Sequence, residues 1–382
     1  MSGSERNPRL PKNQRQPHPG RGARSPRHPF RVHVPECRLI PGVRKKRVPL
    51  ANFRAPLRGA LHNAAKHMTD QLLENFFKGD TRALSRMITL VENRSADSLA
   101  LLQQLFPRTG NSQVIGITGS PGSGKSTLVD RLATAYRKQG HTLAVVAVDP
   151  TSPFTGGAIL GDRIRMQTPG TDPGVYIRSM ATRGHLGGLA TATADVVTVL
   201  DAAGKNPIIV ETVGVGQDEI EIVKLADVSI VLLVPGMGDD VQALKAGIME
   251  IGDIFVINKC DRPGVDKMER AVLAMLSLAH RPDGWEPPVV KTVATDARGI
   301  DELMSTIQRY DSFFQNSAAR LQKKKEAVKQ RLITLLEEQL VKTAVQQVFP
   351  NGELNEIVEQ IANRQQDPYS VVDQVIRKLR FK

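Results

Sequence analysis

The apolar run Val114–Thr118 feeds directly into Gly119-Ser120-Pro121-Gly122-Ser123-Gly124-Lys125-Ser126-Thr127. A helical stripe of Leu128, Leu132 and Ala135 follows at once. Strand, glycine-rich loop and helix in that order commit this part of the chain to a phosphate-binding α/β unit. The glycines let backbone N–H groups turn inward around phosphate oxygens. The helix N-terminus adds partial positive charge. Lys125 is expected to reach the β- and γ-phosphates, and the Ser126 hydroxyl to ligate Mg²⁺.

That loop alone does not choose between ATP and GTP. A second segment does. Ile254–Ile257 leads into Asn258-Lys259-Cys260-Asp261. A carboxylate at Asp261 can accept two hydrogen bonds from the N1–H and N2–H₂ edge of guanine. Adenine lacks that donor pair and would leave the carboxylate unpaired. Lys259 can lie along the base and reach back to the phosphate loop. Val293-Ala294-Thr295, after the last predicted strand, can close over the base through its backbone or be an ordinary strand exit.

Two more strand tips carry acids. Leu143–Val148 ends in Asp149, and Pro207–Val210 ends in Glu211-Thr212-Val213-Gly214. Acids at such tips face the ligand crevice of an open parallel sheet. Mg²⁺ usually keeps several waters, which suits the longer Glu211. Between them, Asp149–Gly188 is glycine-rich and is expected to be a nucleotide-sensing loop, ordered by the γ-phosphate. Within it, Asp162 is a candidate for metal or water contact and Arg165 for a charge-stabilising cation. The water-positioning Gln of Ras-type enzymes would follow Gly214, but Val215 stands there and Gln217 lies two further on. Slow, partner-accelerated hydrolysis is therefore expected.

Six apolar runs alternate with helical stretches between 113 and 300: the four named above, Ser229–Val234 and Val289–Val293. That alternation predicts an α/β fold with a mostly parallel sheet. Leu84, Met87, Ile88 and Val91 mark a helix before it, and Ser95 is a candidate cap for a second with Leu99, Leu102 and Leu105. A helical region at 311–349 carries the stripe Val328, Leu332, Leu335 and Leu336 and breaks at Pro350-Asn351-Gly352. Asp367-Pro368 opens a last helix, Asp as cap and Pro as first residue. Four regions are expected: a basic tail at 1–67, a helical extension at 68–110, a nucleotide-binding domain at 111–312 and a helical arm at 313–382.

The net charge of +13 invites a nucleic-acid reading, but residues 1–67 alone hold 16 Lys/Arg against Glu5 and Glu36, so 68–382 is close to neutral. The tail also lacks interleaved aromatics for base stacking. It reads as a disordered basic arm, an organellar transit peptide, or sequence upstream of a start at Met68. Two cysteines, Cys37 and Cys260, support neither a disulfide scaffold nor a zinc site. No apolar run approaches the roughly eighteen residues of a membrane span. A bacterial cytoplasm is expected, or a mitochondrial matrix if the tail is a transit peptide.

The strings Ala147-Val-Asp-Pro-Thr-Ser152, Leu160-Gly-Asp162-Arg-Ile-Arg-Met166, Arg183-Gly-His-Leu-Gly-Gly188, Glu211-Thr-Val-Gly-Val-Gly-Gln217 and Pro235-Gly-Met-Gly-Asp-Asp-Val-Gln242 narrow this further. Together they resemble the MeaB/ArgK-type methylmalonyl-CoA mutase-associated GTPases, over about residues 70–349. The resemblance implies a SIMIBI-class P-loop fold with a C-terminal dimerisation arm, and hence a homodimer. It implies an adenosylcobalamin-dependent acyl-CoA mutase as partner, with cobalamin handled through that partner. It also makes Gly236–Gly247 a third switch, with Asp239, Gln242 and Lys245 as candidate signalling residues. An older family label supplies the alternative of an ATP-using kinase or ATPase in lysine/arginine/ornithine transport.

Asp261 separates these readings. Asp261→Asn is expected to shift preference from guanosine to xanthosine diphosphate by roughly tenfold or more, read by competition binding.

Overall fold

The computed structural model describes residues 69–95, 97–149, 172–181, 188–212, 225–236, 252–278, 281, 283–315, 318–350 and 352–379. All of them lie in the compact unit His62–Lys382. The tail at 1–67 lies outside the described residues.

Seven short runs rich in β-branched residues form one sheet: β1 (Val114–Gly119), β2 (Leu143–Asp149), β3 (Val175–Ala181), β4 (Ile208–Glu211), β5 (Val228–Leu233), β6 (Ile254–Ile257) and β7 (Val289–Lys291). Their order is β3-β2-β4-β1-β5-β6-β7, and every pairing is parallel. Parallel pairing aligns all seven C-terminal ends on one edge. β1 sits at the centre, between β4 and β5, where such sheets bind ligands.

Alternate strand residues feed two layers. Ile115, Ile117, Val145, Ile209, Ile230 and Val256 point into one core with α3 (Lys125–Lys138) and α6 (Ile300–Gln315). Val114, Ala144, Val146, Ile208 and Val210 point into the other, with α1 (Thr81–Glu92), α2 (Ser98–Leu105) and α4 (Gly188–Ala202). A smaller cluster joins β5 and β6 to α5 (Val265–Leu278). The four-residue strands β4 and β6 are buried throughout, which is why they read as unbroken apolar runs.

Three local expectations are corrected. Asp149–Gly188 is not loop throughout, because Val175–Ala181 forms the edge strand β3. Among its described side chains Tyr176 and Met180 are the buried ones, and Arg178, paired with Glu92 on α1, interrupts the apolar signal. Ser95 does not cap α2; Asp97 occupies that position without a side-chain cap bond. The buried stripe of α2 is Leu101 and Leu105, while Leu99 is exposed. The last helix does begin as expected, with the Asp367 carboxylate accepting from the Ser370 N–H at 2.8 Å.

The C-terminal helices are α7 (Ala318–Val348), α8 (Glu353–Ala362) and α9 (Pro368–Lys378). Ions tie α7 to the domain. Arg331 pairs with Asp195 of α4, Glu338 with Arg94 at 3.0 Å, and Lys323 with Asp253 at 3.3 Å. Asp253 is itself buried just before β6, where Arg281 holds it at 2.8 Å and the Ser229 N–H at 2.9 Å. The Trp285 indole N–H donates to the Asp253 carbonyl at 2.8 Å, and its ring stands edge-on to Tyr310. By contrast, Val328, Leu332, Leu336, Val358, Val372 and Ile376 are exposed. Among the described residues no helix is long and apolar enough to cross a membrane.

Candidate functional site

The central strand β1 ends where the chain must turn tightly. Gly119 has φ +151°, and a Cβ there would lie 2.3 Å from the Leu232 carbonyl of β5. Only glycine lets β1 hand over to the loop this close to its neighbour. The loop then closes on itself through Ser123 N–H to the Ser120 carbonyl, 3.1 Å. Gly124, at φ +95°, is the residue before α3. Pro121 and Gly122 are exposed, and Thr127 is half-buried in the first turn of α3.

Lys125 is buried, its ammonium donating to the carbonyls of Gly119 at 2.7 Å and Ser120 at 3.0 Å. The cation is thus held across the loop it is expected to serve. Ser126 donates its hydroxyl hydrogen to Glu211 Oε1 at 2.6 Å. Glu211 reaches that point because β4 pairs with β1, with Ile117 opposite Glu211. The following residue fastens the register, Thr212 N–H donating to the Ile117 carbonyl at 3.0 Å. A hydroxyl and a carboxylate in direct contact beside the phosphate loop are hard oxygen donors, and they fit Mg²⁺.

The guanine segment is clamped to the same loop. Asn258, buried at the tip of β6, donates its Nδ2 to the Ser123 carbonyl at 2.9 Å. Its Oδ1 accepts from Thr292 Oγ1 at 3.1 Å and from the Ala294 N–H at 3.0 Å. One carboxamide therefore joins β6, the phosphate loop and the chain beyond β7. The fit is close: a Cβ on Gly124 would lie 2.5 Å from Asn258 Nδ2. Lys259, at φ +57°, donates from Nζ to the Gly122 carbonyl at 2.7 Å. Cys260 is half-buried, its thiol bonded to the Ile257 carbonyl at 3.0 Å and its acidity reduced by that burial. Asp261 follows, exposed at the mouth of the site.

Val293 and Ala294 are buried, and Ala294–Asp296 form a 3₁₀ turn that leaves Thr295 exposed. Arg131, on α3, donates from Nε to the Ala294 carbonyl at 3.1 Å and from Nη2 to the Thr295 carbonyl at 3.0 Å. Sequence reasoning missed this residue. Its only signal is a long cation six positions after Lys125, beside an apolar helix stripe. The three-way role of Asn258 was also invisible, since its partners lie far away in sequence.

The structure thus brings together Gly119–Thr127, Glu211, Asn258–Asp261 and Val293–Thr295. Asp149 ends β2 on the same edge of the sheet, but its side chain lies outside the described residues. Asp162, Arg165, Asp239, Gln242 and Lys245 also lie outside them, as do Val215 and Gln217.

Asn258→Ala is expected to strand the Ala294 N–H and the Ser123 carbonyl. Stability should fall by about 1–3 kcal/mol in urea unfolding, with nucleotide affinity falling alongside in titration. An unchanged unfolding midpoint would refute the clamp.

Comparison with known proteins places the chain in a family. The family model "Methylmalonyl Co-A mutase-associated GTPase MeaB" matches residues 84–348. A protein of Pyrococcus abyssi named as a GTPase is 49% identical over 315 residues, 82% of this chain and 97% of that one. GTPase ArgK of Escherichia coli is 36% identical over 293 residues, 74% of this chain and 87% of that one. The mouse mitochondrial methylmalonic aciduria type A homolog is 34% identical over 268 residues, 65% of each chain. The crystal structure of a LAO/AO transport system kinase superposes with a TM-score of 0.58 at 26% identity, covering 81% of this chain and 96% of that one. With a seven-stranded parallel sheet, a phosphate loop and a clamped guanine motif, the chain belongs to the MeaB family of P-loop GTPases.

Proposed function

We propose that this chain is a slow GTP-hydrolysing switch that gates adenosylcobalamin loading and protection of an acyl-CoA mutase. The observation that carries the nucleotide half is the double tie between guanine segment and phosphate loop, Asn258 to Ser123 and Lys259 to Gly122, with the Asp261 carboxylate left exposed beside it. A purine donor edge can reach Asp261 while its phosphates lie in the loop.

In this reading the backbone of Gly119–Gly124 cradles the phosphates, and Lys125 exchanges its two loop carbonyls for phosphate oxygens. Ser126 and Glu211 would hold Mg²⁺, with Asp149 and Asp162 as further candidates. The ion, when bound, supplies charge neutralisation to the phosphates. Lys259 covers one face of the base, and Val293–Thr295 borders it. Arg165 is the candidate for a charge-stabilising arginine. With Val215 where a water-positioning Gln stands in Ras-type enzymes, the chain relies mainly on positioning and fixed charge.

The partner half rests on family. The matching model is described as mutase-associated, and the mouse relative is named for methylmalonic aciduria. Asp239, Gln242 and Lys245 are the residues proposed to signal nucleotide state to a methylmalonyl-CoA mutase or a relative of it. Pull-down of such a mutase, with the bound nucleotide varied, is expected to retain it differently with a non-hydrolysable GTP analogue and with GDP. Equal retention with both, or none with either, removes the switch reading. A kinase or ATPase role would instead show as ATP binding as tightly as GTP.

The exposed apolar stripe of α7, α8 and α9 supports a homodimer built on the arm. Light scattering on a chain ending near Ser312 is expected to report a monomer. A dimer that survives this truncation would exclude the arm as the main contact.

A further inference from the structure

The 3₁₀ turn beside the base site has three consecutive backbone N–H groups, and two of them are occupied. Ala294 N–H donates to Asn258 Oδ1 at 3.0 Å, and Asp296 N–H to the Val293 carbonyl at 3.0 Å. The Thr295 N–H between them has no acceptor among the described residues, and Thr295 is exposed. Its direction is fixed from the other side. The peptide unit is planar and trans, so the Ala294 carbonyl and the Thr295 N–H point in opposite directions. Arg131 Nε holds that carbonyl at 3.1 Å, and Nη2 holds the next one, of Thr295, at 3.0 Å. The Thr295 N–H is therefore turned away from α3.

We infer that Arg131 is a positioning residue for the base: its guanidinium fixes the Ala294–Thr295 peptide so that the Thr295 N–H donates to the O6 atom of guanine. The chemistry of the base matches this division of labour. O6 is an acceptor adjacent to N1–H, and N1–H and N2–H₂ are the donors that Asp261 accepts. One edge then meets one carboxylate and one amide. Because Arg131 sits on the helix that begins at Lys125, the same guanidinium also makes phosphate loop and base turn move as one body. Lysine cannot replace it fully, since a single ammonium lacks the planar fork that spans two successive carbonyls.

The inference rests on the guanine-site reading, and the test separates the two. The full chain and its Arg131→Met and Arg131→Lys variants are titrated with GDP, 6-thioguanosine diphosphate and inosine diphosphate. The thio analogue replaces the acceptor at position 6 by a larger and weaker one, and inosine removes the N2 donor. Arg131→Met is expected to lower GDP affinity by roughly tenfold or more. Its preference for GDP over the thio analogue should collapse towards one, while its preference for GDP over inosine diphosphate is kept. Arg131→Lys should fall between it and the wild type. Unchanged affinity and ratios in both variants, a wild type blind to the thio substitution, or a parallel loss of both ratios overturns the inference. A wild type that binds ADP as tightly as GDP removes the guanine-site reading itself, and this inference with it.

Discussion

Everything at the nucleotide end of the molecule hangs on the carboxamide of Asn258. It is buried, so each of its polar atoms needs a partner, and each finds one on a different segment: Ser123 in the phosphate loop, and Thr292 and Ala294 beyond β7. A buried amide holding three bonds at once is costly to disturb, because losing any of them strands a donor or acceptor. Phosphate loop, β6 tip and base turn are thereby fixed relative to one another before any ligand arrives. Such preorganisation reduces what binding must spend on ordering the site.

That clamp explains why a motif split over about 130 residues acts as a single site. Parallel pairing brings the strand ends to one edge, but only within the tolerance of a twisted sheet. The final adjustment comes from side chains that cross between loops, namely Asn258, Lys259 and Arg131. Glu211 does the same at Ser126, its position set by β4 pairing in register with β1.

The legible parts of the sequence were those whose signal is local. The phosphate loop, the apolar runs of β1, β2, β4, β5 and β6, and the Asp367-Pro368 helix start could all be read from neighbouring residues. The edge strand β3 could not, since an edge tolerates Arg178 and partial exposure, and its apolar alternation is short. Ser95 satisfied a local rule for a helix cap but lost to packing, which starts α2 later and buries Leu101 instead of Leu99. Arg131 and the bonds of Asn258 were illegible for a different reason. Their partners are set by tertiary contact alone, and nothing in the flanking residues encodes it. Net charge, too, is informative only when resolved along the chain, because residues 1–67 carry +14 and residues 68–382 sum to −1.

The opposite end of β6 carries its own fixed point. This strand has four residues, so roughly 13 Å of rigid extended chain separates its two ends. At the far end, Asp253 gathers Arg281 and the arm residue Lys323, and its carbonyl receives the indole of Trp285. The chain has a single tryptophan, and it is this one. Its ring lies 5.0 Å from that of Tyr310, with Lys323 bonded to the Tyr310 hydroxyl at 3.0 Å. Intrinsic emission from this protein therefore has one dominant source, seated where the arm leaves the domain. A shift in its wavelength or quenching on adding nucleotide would be an unlabelled optical record of whether the two ends of β6 communicate.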